Sequence, residues 1–297
     1  MRRYPNVVRA VACEPWAILP DMLETIAEIV EFRLSGVSFS DADIRERTAG
    51  RVDRQESRVG VVQVLPLYGV LSKRQNLMTD TSGGTSLDLF ARQFRAAVAD
   101  PAVAGIVIDV DSPGGTVDGT PEAADVVYQA RGSKRIVAVA NTLMASAAYW
   151  VASAADEIVA SPSAQVGSVG VVMLHADKSK FYEDLGTKIT LLSAGKYKTL
   201  GNSYEPLTDE ARSRLQSDVE SAYDIFVRAV ARNRGTTPKA VRDGYGEGAV
   251  LDAKPAVAAG LADRVGTFEE AVLRAAPRRA GMNARAARLA RELELGI

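Results

Sequence analysis

Residues 105–160, GIVIDVDSPGGTVDGTPEAADVVYQARGSKRIVAVANTLMASAAYWVASAADEIVA, hold three short apolar runs separated by two longer stretches of helical character. The runs Ile106–Val110, Ile136–Ala140 and Glu157–Ala160 have strand length and are rich in Ile, Val and Ala. Pro121–Ala130 and Ala145–Ala154 lie between them and read as helices. Strands alternating with helices at this spacing predict an α/β fold built on a largely parallel, buried sheet. The same pattern extends outward. Further strands are predicted at Gly60–Leu65, Gly170–Leu174 and Lys188–Leu192, and further helices at Leu87–Ala99 and Lys178–Leu185. A long amphipathic helix is predicted from Thr208 to about Arg232. Thr208 is its N-cap, Asp209 and Glu210 favour the positive end of its dipole, and Gly235 stops it. A last αβ-like segment ends near Leu273.

Residues 1–58 read as an appendage. Leu23, Ile26, Ile29, Val30 and Leu34 mark one face of a helix over Asp21–Ser35, with Pro20 before it and Gly36 after it. A short charged helix is expected over Ser40–Thr48, and residues 51–58 (RVDRQESR) read as a solvated linker. The organisation expected is therefore a helical appendage and linker at 1–58, a main domain at 59–275 and an Arg/Ala-rich helical tail at 276–297.

Composition narrows the chemistry. The 297 residues balance 36 Lys+Arg against 37 Asp+Glu, a formal charge of −1, which argues against a phosphate backbone as main partner. One cysteine, Cys13, rules out an intramolecular disulfide, and one histidine, His175, rules out a multi-histidine metal site within one chain. A metal is accordingly not expected, nor any other cofactor. No stretch resembles an export signal or a bilayer crossing: Pro5, Glu14 and Pro15 interrupt the amino-terminal segment, and Asn141–Ala155 falls short of the roughly 20 apolar residues a span requires. The expected location is cytoplasmic.

Several motifs can be set aside. Thr190 and Tyr197 break a P-loop around Gly195-Lys196, Ser146 lacks the flanking glycines of a nucleophile elbow, and Ser193-Ala-Gly-Lys196 stands without the other blocks of the penicillin-binding signature. Three features remain. The Asp111-Ser-Pro-Gly-Gly115 turn leaves backbone N–H groups uncovered by side chains, which suits an oxyanion, or serves only as a tight turn. Ser146 starts a small-residue helix, where the next amide, that of Ala147, points toward a developing negative oxygen; the alternative is an ordinary cap. Lys196 and Lys198 follow a predicted strand, and either could act as a base in place of histidine if burial lowers its pKa; the alternative is surface lysine.

The runs IDVDSPGGTV, MASAAYWVASAADEIVASPSAQVGSVGV, AGKYKT with the PLTDEA helix start, and GAVLDAKPAVAAGLADRVG together resemble the signal peptide peptidase A family of serine peptidases over about residues 59–273. The resemblance implies a ClpP/crotonase-like fold with flanking helices. It further implies Ser146 as nucleophile, Lys198 rather than Lys196 as general base, Ser168 as the residue that orients this lysine, and Gly115 and Ala147 as oxyanion-hole amides. The lead-in WAILPDMLETIAEIV, in place of the membrane helix of other members, resembles the lambda-like branch of phage and prophage peptidases that mature capsids. This implies protein substrates such as head, portal or scaffold proteins, a location in the bacterial cytoplasm or the prohead, and assembly into a homo-oligomer. Residues 82–86 and the segment after Lys198 are expected to meet another subunit or the substrate. Three other readings remain: a Ser-His-Asp triad using His175, a crotonase-type acyl-CoA enzyme, and a non-catalytic capsid-assembly scaffold.

Overall fold

The computed structural model describes residues 14–34, 57–74 and 84–277. The helix expected over Ser40–Thr48 and nearly all of the 276–297 tail lie outside these residues. In chain order the strands are β1 (Trp16–Ile18), β2 (Ser57–Val59), β3 (Val62–Tyr68), β4 (Leu71–Ser72), β5 (Thr85–Ser86), β6 (Gly105–Ser112), β7 (Gly114–Thr116), β8 (Arg135–Ala145), β9 (Glu157–Ala160), β10 (Gln165–Gly167), β11 (Val250–Asp252) and β12 (Arg264–Val265). The helices are α1 (Pro20–Leu34), α2 (Leu87–Ala99), α3 (Thr120–Gln129), α4 (Ala147–Ala152), α5 (Ser179–Asp184), α6 (Asp209–Arg234), α7 (Pro238–Gly244), α8 (Ala253–Ala258) and α9 (Phe268–Ala275).

The large sheet is parallel through its centre, β3–β6–β8, because each of these strands is followed by a helix that returns the chain to the same edge. Both faces are covered, and the side chains alternate accordingly. Ile106, Ile108 and Val110 enter the main core with Phe90, Phe94 and Val127, whereas Val107, Val137 and Val139 face the other way, toward Ala271 and Val272 of α9. That two-sided burial explains why β6 and β8 read as largely apolar runs rather than alternating ones. The long strand β8 divides its second edge, pairing with β9 over Val137–Ala140 and with β10 over Leu143–Ala145. This division places the end of β8 next to Gly167.

Helix ends follow the local chemistry. The Thr208 side chain accepts from the Ala211 N–H at the start of α6, and Gly235 closes it in the left-handed conformation at φ +63°. The Trp150 ring of α4 stacks on Phe226 of α6, with centroids 4.4 Å apart and planes at 5°. α9 is tied to the sheet by charge as well as packing. The buried Glu157 carboxylate accepts from Arg135 (2.5 Å), Arg264 (2.6 Å) and Arg274 (2.5 Å). Burial pushes this carboxyl up, but the hydrogen bonds from Arg274, Arg264 and Arg135 outweigh it and hold the group below the usual carboxylate range.

The expected ClpP/crotonase-like fold, one largely parallel sheet with a small helical appendage in front of it, needs correction. Among the described residues there are two sheets. The second has the order β1–β7–β4–β5, and the large one ends in the antiparallel pairs β2–β3 and β10–β11. The amino-terminal segment supplies a strand as well as the helix α1, and Trp16, Ala17 and Ile18 are fully buried. Three apolar residues gain more from pairing with a distant edge and leaving water than from remaining in a separate lead-in. Two predicted strands also fail to form. Residues 170–174 contribute only the isolated bridge Trp16–Val172, and 188–192 is irregular and mostly exposed. A run of strand-like residues becomes a strand only where a ladder partner exists.

Candidate active site

Ser146 occupies the one-residue junction between the end of β8 and the start of α4. Its backbone is left-handed, with φ +55° and ψ −116°, a conformation that costs a serine on the order of 1–3 kcal/mol. Local bonds hold it there. The Ser146 N–H donates to the Gly167 carbonyl at 2.8 Å, and its own carbonyl accepts from the Trp150 N–H at 2.9 Å. The side chain is fully buried, and Oγ donates to the Gly170 carbonyl at 3.3 Å. Ala147 is the first residue of α4, so its N–H has no acceptor within the helix.

The Pro113-Gly-Gly turn lies against this junction. A Cβ on Gly114, whose φ is +107°, would overlap the Ala17 carbonyl oxygen and stand 3.0 Å from the Ser146 Cβ; one on Gly115 would overlap the Leu71 carbonyl. Any side chain at these two positions would push the neighbouring strands or the serine away. Gly115 is paired in register with Ala17 of β1. On either side, the Leu19 N–H donates to the Pro113 carbonyl (3.0 Å) and the Val117 N–H to the Pro15 carbonyl (3.4 Å). Bonded pairs alternate in an antiparallel ladder, so Ala17 and Gly115 form the bonded pair between them and the Gly115 N–H is directed at the Ala17 carbonyl.

Ser168 follows Gly167 at the end of β10 and is also left-handed, with φ +53°. It is buried, and its N–H donates to the Ala249 carbonyl at 2.7 Å. Ser146, Ala147, Gly115 and Ser168 thus converge on the ends of β7, β8 and β10. The lysines do not join them. Lys198 is exposed, and its backbone N–H closes a turn onto the Gly195 carbonyl at 3.1 Å. Lys196 pairs with Glu210 at 2.7 Å, and hydrogen bonds to Glu210 and Tyr197 hold its ammonium above the usual lysine range, the opposite of what a neutral base needs. The half-buried His175 has a ring nitrogen 3.3 Å from the Asn202 carbonyl.

Sequence reasoning missed Trp16–Ile18 and Val172 as neighbours of this site. One signal was present: the apolar run Trp16–Leu19 lies between Pro15 and Pro20, and a residue before proline is biased toward extended backbone. Among the described residues no group of three His, Cys, Asp or Glu side chains could hold a metal ion, and no helix is long and apolar enough to cross a membrane.

Among known families, the model of peptidase family S49 matches residues 129–282, just over half of the chain, a span containing Ser146, Ser168 and Lys198. The chain belongs to peptidase family S49. The resemblance to signal peptide peptidase A is thereby borne out, and the fold is the α/β fold of S49 peptidases rather than the ClpP/crotonase-like fold first expected. Two S49-region relatives come from phages. Capsid assembly protease C of Escherichia phage lambda is 35% identical over 71% of this chain and 48% of its own length. Head-tail preconnector protein GP5 of Enterobacteria phage P21 is 34% identical over 72% of this chain and 42% of its own. The chain therefore spans somewhat less than half the length of these curated relatives. A solved structure of the 1510-N membrane-bound stomatin-specific protease is similar at 15% identity, with a TM-score of 0.45 over 73% of this chain and 86% of that one.

Proposed function

We propose that this S49 protein is a serine endopeptidase in which Ser146 is the nucleophile and Lys198 the general base. The observation that carries the reading is the left-handed Ser146 at the mouth of α4, packed against the Gly114-Gly115 turn beside the Ala17 carbonyl at which the Gly115 N–H is directed. Neutral Lys198 takes the proton of Ser146 Oγ as that oxygen adds to the peptide carbonyl carbon. The amides of Gly115 and Ala147 hold the oxyanion. The tetrahedral species collapses, the C–N bond breaks, and the lysine proton passes to the departing amine. Water, deprotonated by the same lysine, then hydrolyses the acyl ester. Ser168 is the residue that orients the lysine amine once it is in place.

Lys198 stands on an exposed stretch with Phe181, Leu185, Leu192 and Tyr197, large apolar side chains that face solvent in the single chain. A lysine serves as a general base only where burial favours its neutral amine. Covering this stretch in a homo-oligomer removes the apolar surface from water and supplies the burial that the base requires. The names of the two phage relatives support substrates among the structural proteins of a phage head, its portal or scaffold.

Co-expression with candidate head, portal and scaffold proteins tests the reading. Fragments are expected with the native chain and not with Ser146→Ala or Lys198→Ala. Equal cleavage by Ser146→Ala, measured by mass spectrometry of the products, overturns it.

A further inference from the structure

We propose that residues Pro15–Leu19 of this chain occupy the place of an extended peptide substrate, so that the cleft beside Ser146 is closed by the protein's own amino-terminal strand until that strand withdraws. The inference rests on the reading of Ser146 as the nucleophile and adds a resident occupant to its site.

Four observations converge. First, β1 is bonded on both edges. It pairs with Gly114–Thr116 on one side, and Trp16 exchanges two hydrogen bonds with Val172 on the other, N–H to carbonyl in each direction at 2.8 Å. A strand held between two others by backbone bonds is how a protein binds an extended peptide of variable sequence. Second, the register directs the Gly115 N–H, one of the two proposed oxyanion donors, at the Ala17 carbonyl. Third, the Ala17 carbonyl oxygen and the Ser146 Cβ crowd the same point above Gly114. The Ala17–Ile18 peptide bond is thus the bond presented to the nucleophile. Fourth, the side chains sort by size. Ala17 points into the main core, where it is fully buried, whereas Trp16 and Ile18 lie on the opposite face with Leu23, Ile26 and Val70. The cleft therefore takes a small residue at the position whose carbonyl meets Gly115, flanked by bulky apolar ones.

The anchor is local. Trp16 and Ile18 pack with the first turns of α1, so the strand and its helix form a plug connected to the main core by β1 and its neighbours. While it is seated, the fraction of molecules able to bind an outside peptide is small, and apparent affinity falls by that fraction.

The test uses the full-length chain carrying Trp16→Ala and Ile18→Ala, with Trp16→Ala alone as the milder variant should the pair fail to fold. A fluorogenic peptide with alanine at the matching position is expected to be hydrolysed about tenfold faster, or more, by these variants than by the native chain, with unchanged circular dichroism. A fluorescein-labelled peptide copying residues 14–22 is expected to bind the loosened variant, measured by anisotropy, and to bind the native chain weakly; the same peptide with leucine at the position of Ala17 is expected not to bind. Binding needs no turnover, so it is measured with Ser146→Ala added as well. Hydrolysis at the native rate by a folded variant that does not bind the peptide overturns the plug and leaves the peptidase reading standing. Peptide binding without hydrolysis in any variant retains the plug and overturns the peptidase reading.

Discussion

The strand end that carries Ser146 and the stretch that carries Lys198 are built in opposite ways. Ser146 is enclosed by β7, β8, β10 and α4, its backbone is bonded on both sides, and α4 is buried along its whole length. Residues 188–198 have no ladder partner and leave most of their apolar side chains in water; Leu192 is 94% exposed. One chain is enough to place Ser146, Gly115 and Ala147, the proposed nucleophile and oxyanion amides, because those positions depend on short turns inside a packed core. It is not enough to make a base of a lysine, because that depends on burial the isolated chain does not provide.

The largest effects are expected at the proposed dyad. Ser146→Ala and Lys198→Ala are each expected to lower the rate of peptide hydrolysis by about 10⁴-fold or more, with thermal unfolding unchanged for the lysine variant. Residual activity near the native level in Lys198→Ala would mean that Lys198 is not the base. Gly115→Ala comes next. A Cβ there overlaps the Leu71 carbonyl, so β7 must shift and the oxyanion amide moves with it. The expected loss is ~10²–10³ in kcat, comparable to removal of one oxyanion donor, with a fall in Tm.

Leu192→Asp tests the exposed half directly. A charge at this position should lower the oligomeric mass seen by light scattering and reduce activity in proportion, while far-UV circular dichroism of the chain stays the same. An assembled and fully active variant would separate the base from any oligomer. Lys196→Ala and His175→Ala should retain most activity, since Lys196 is engaged by Glu210 and His175 by the Asn202 carbonyl. A dead His175→Ala would revive the triad.

The smallest effect on activity, and one confined to stability, is expected at Glu157. Its folded-state pKa is depressed by three arginines, so the stabilisation is complete above the ordinary glutamate value of about 4.3 and is lost as pH falls through the lower folded value. Urea unfolding at pH 7 and pH 3 should show the native chain losing stability with acid. Glu157→Gln should be weaker than the native chain by about 1–3 kcal/mol at pH 7, with the difference narrowing as the pH is lowered. The active-site half should not register the change.

Much of the architecture was legible locally. Leu87–Ala99 and Glu157–Ala160 form over the residues expected, and α6 begins at Thr208 and stops at Gly235 as its caps require. The neighbourhood of Ser146, Gly115 and Ser168 was legible too, through residue types and a resemblance to one family. The strand at Trp16–Ile18 was not, because three apolar residues carry no period, and their strand exists only through Gly114–Thr116 and Val172, a hundred residues or more away. The failure of 188–192 has the same origin: strand propensity without a partner edge yields no ladder.

Neighbouring residues alone specified the central alternation of strands and helices, and which serine stands where a strand passes into a buried helix. Periodicity, caps and turn residues act within a few positions, so those features are written locally. That the amino-terminal strand lies on Gly115, that Lys196 is engaged by Glu210 and that Lys198 stays in water follow from packing in three dimensions. Pairing, burial and charge state are properties of what surrounds a residue in space, and no window of neighbouring residues contains them.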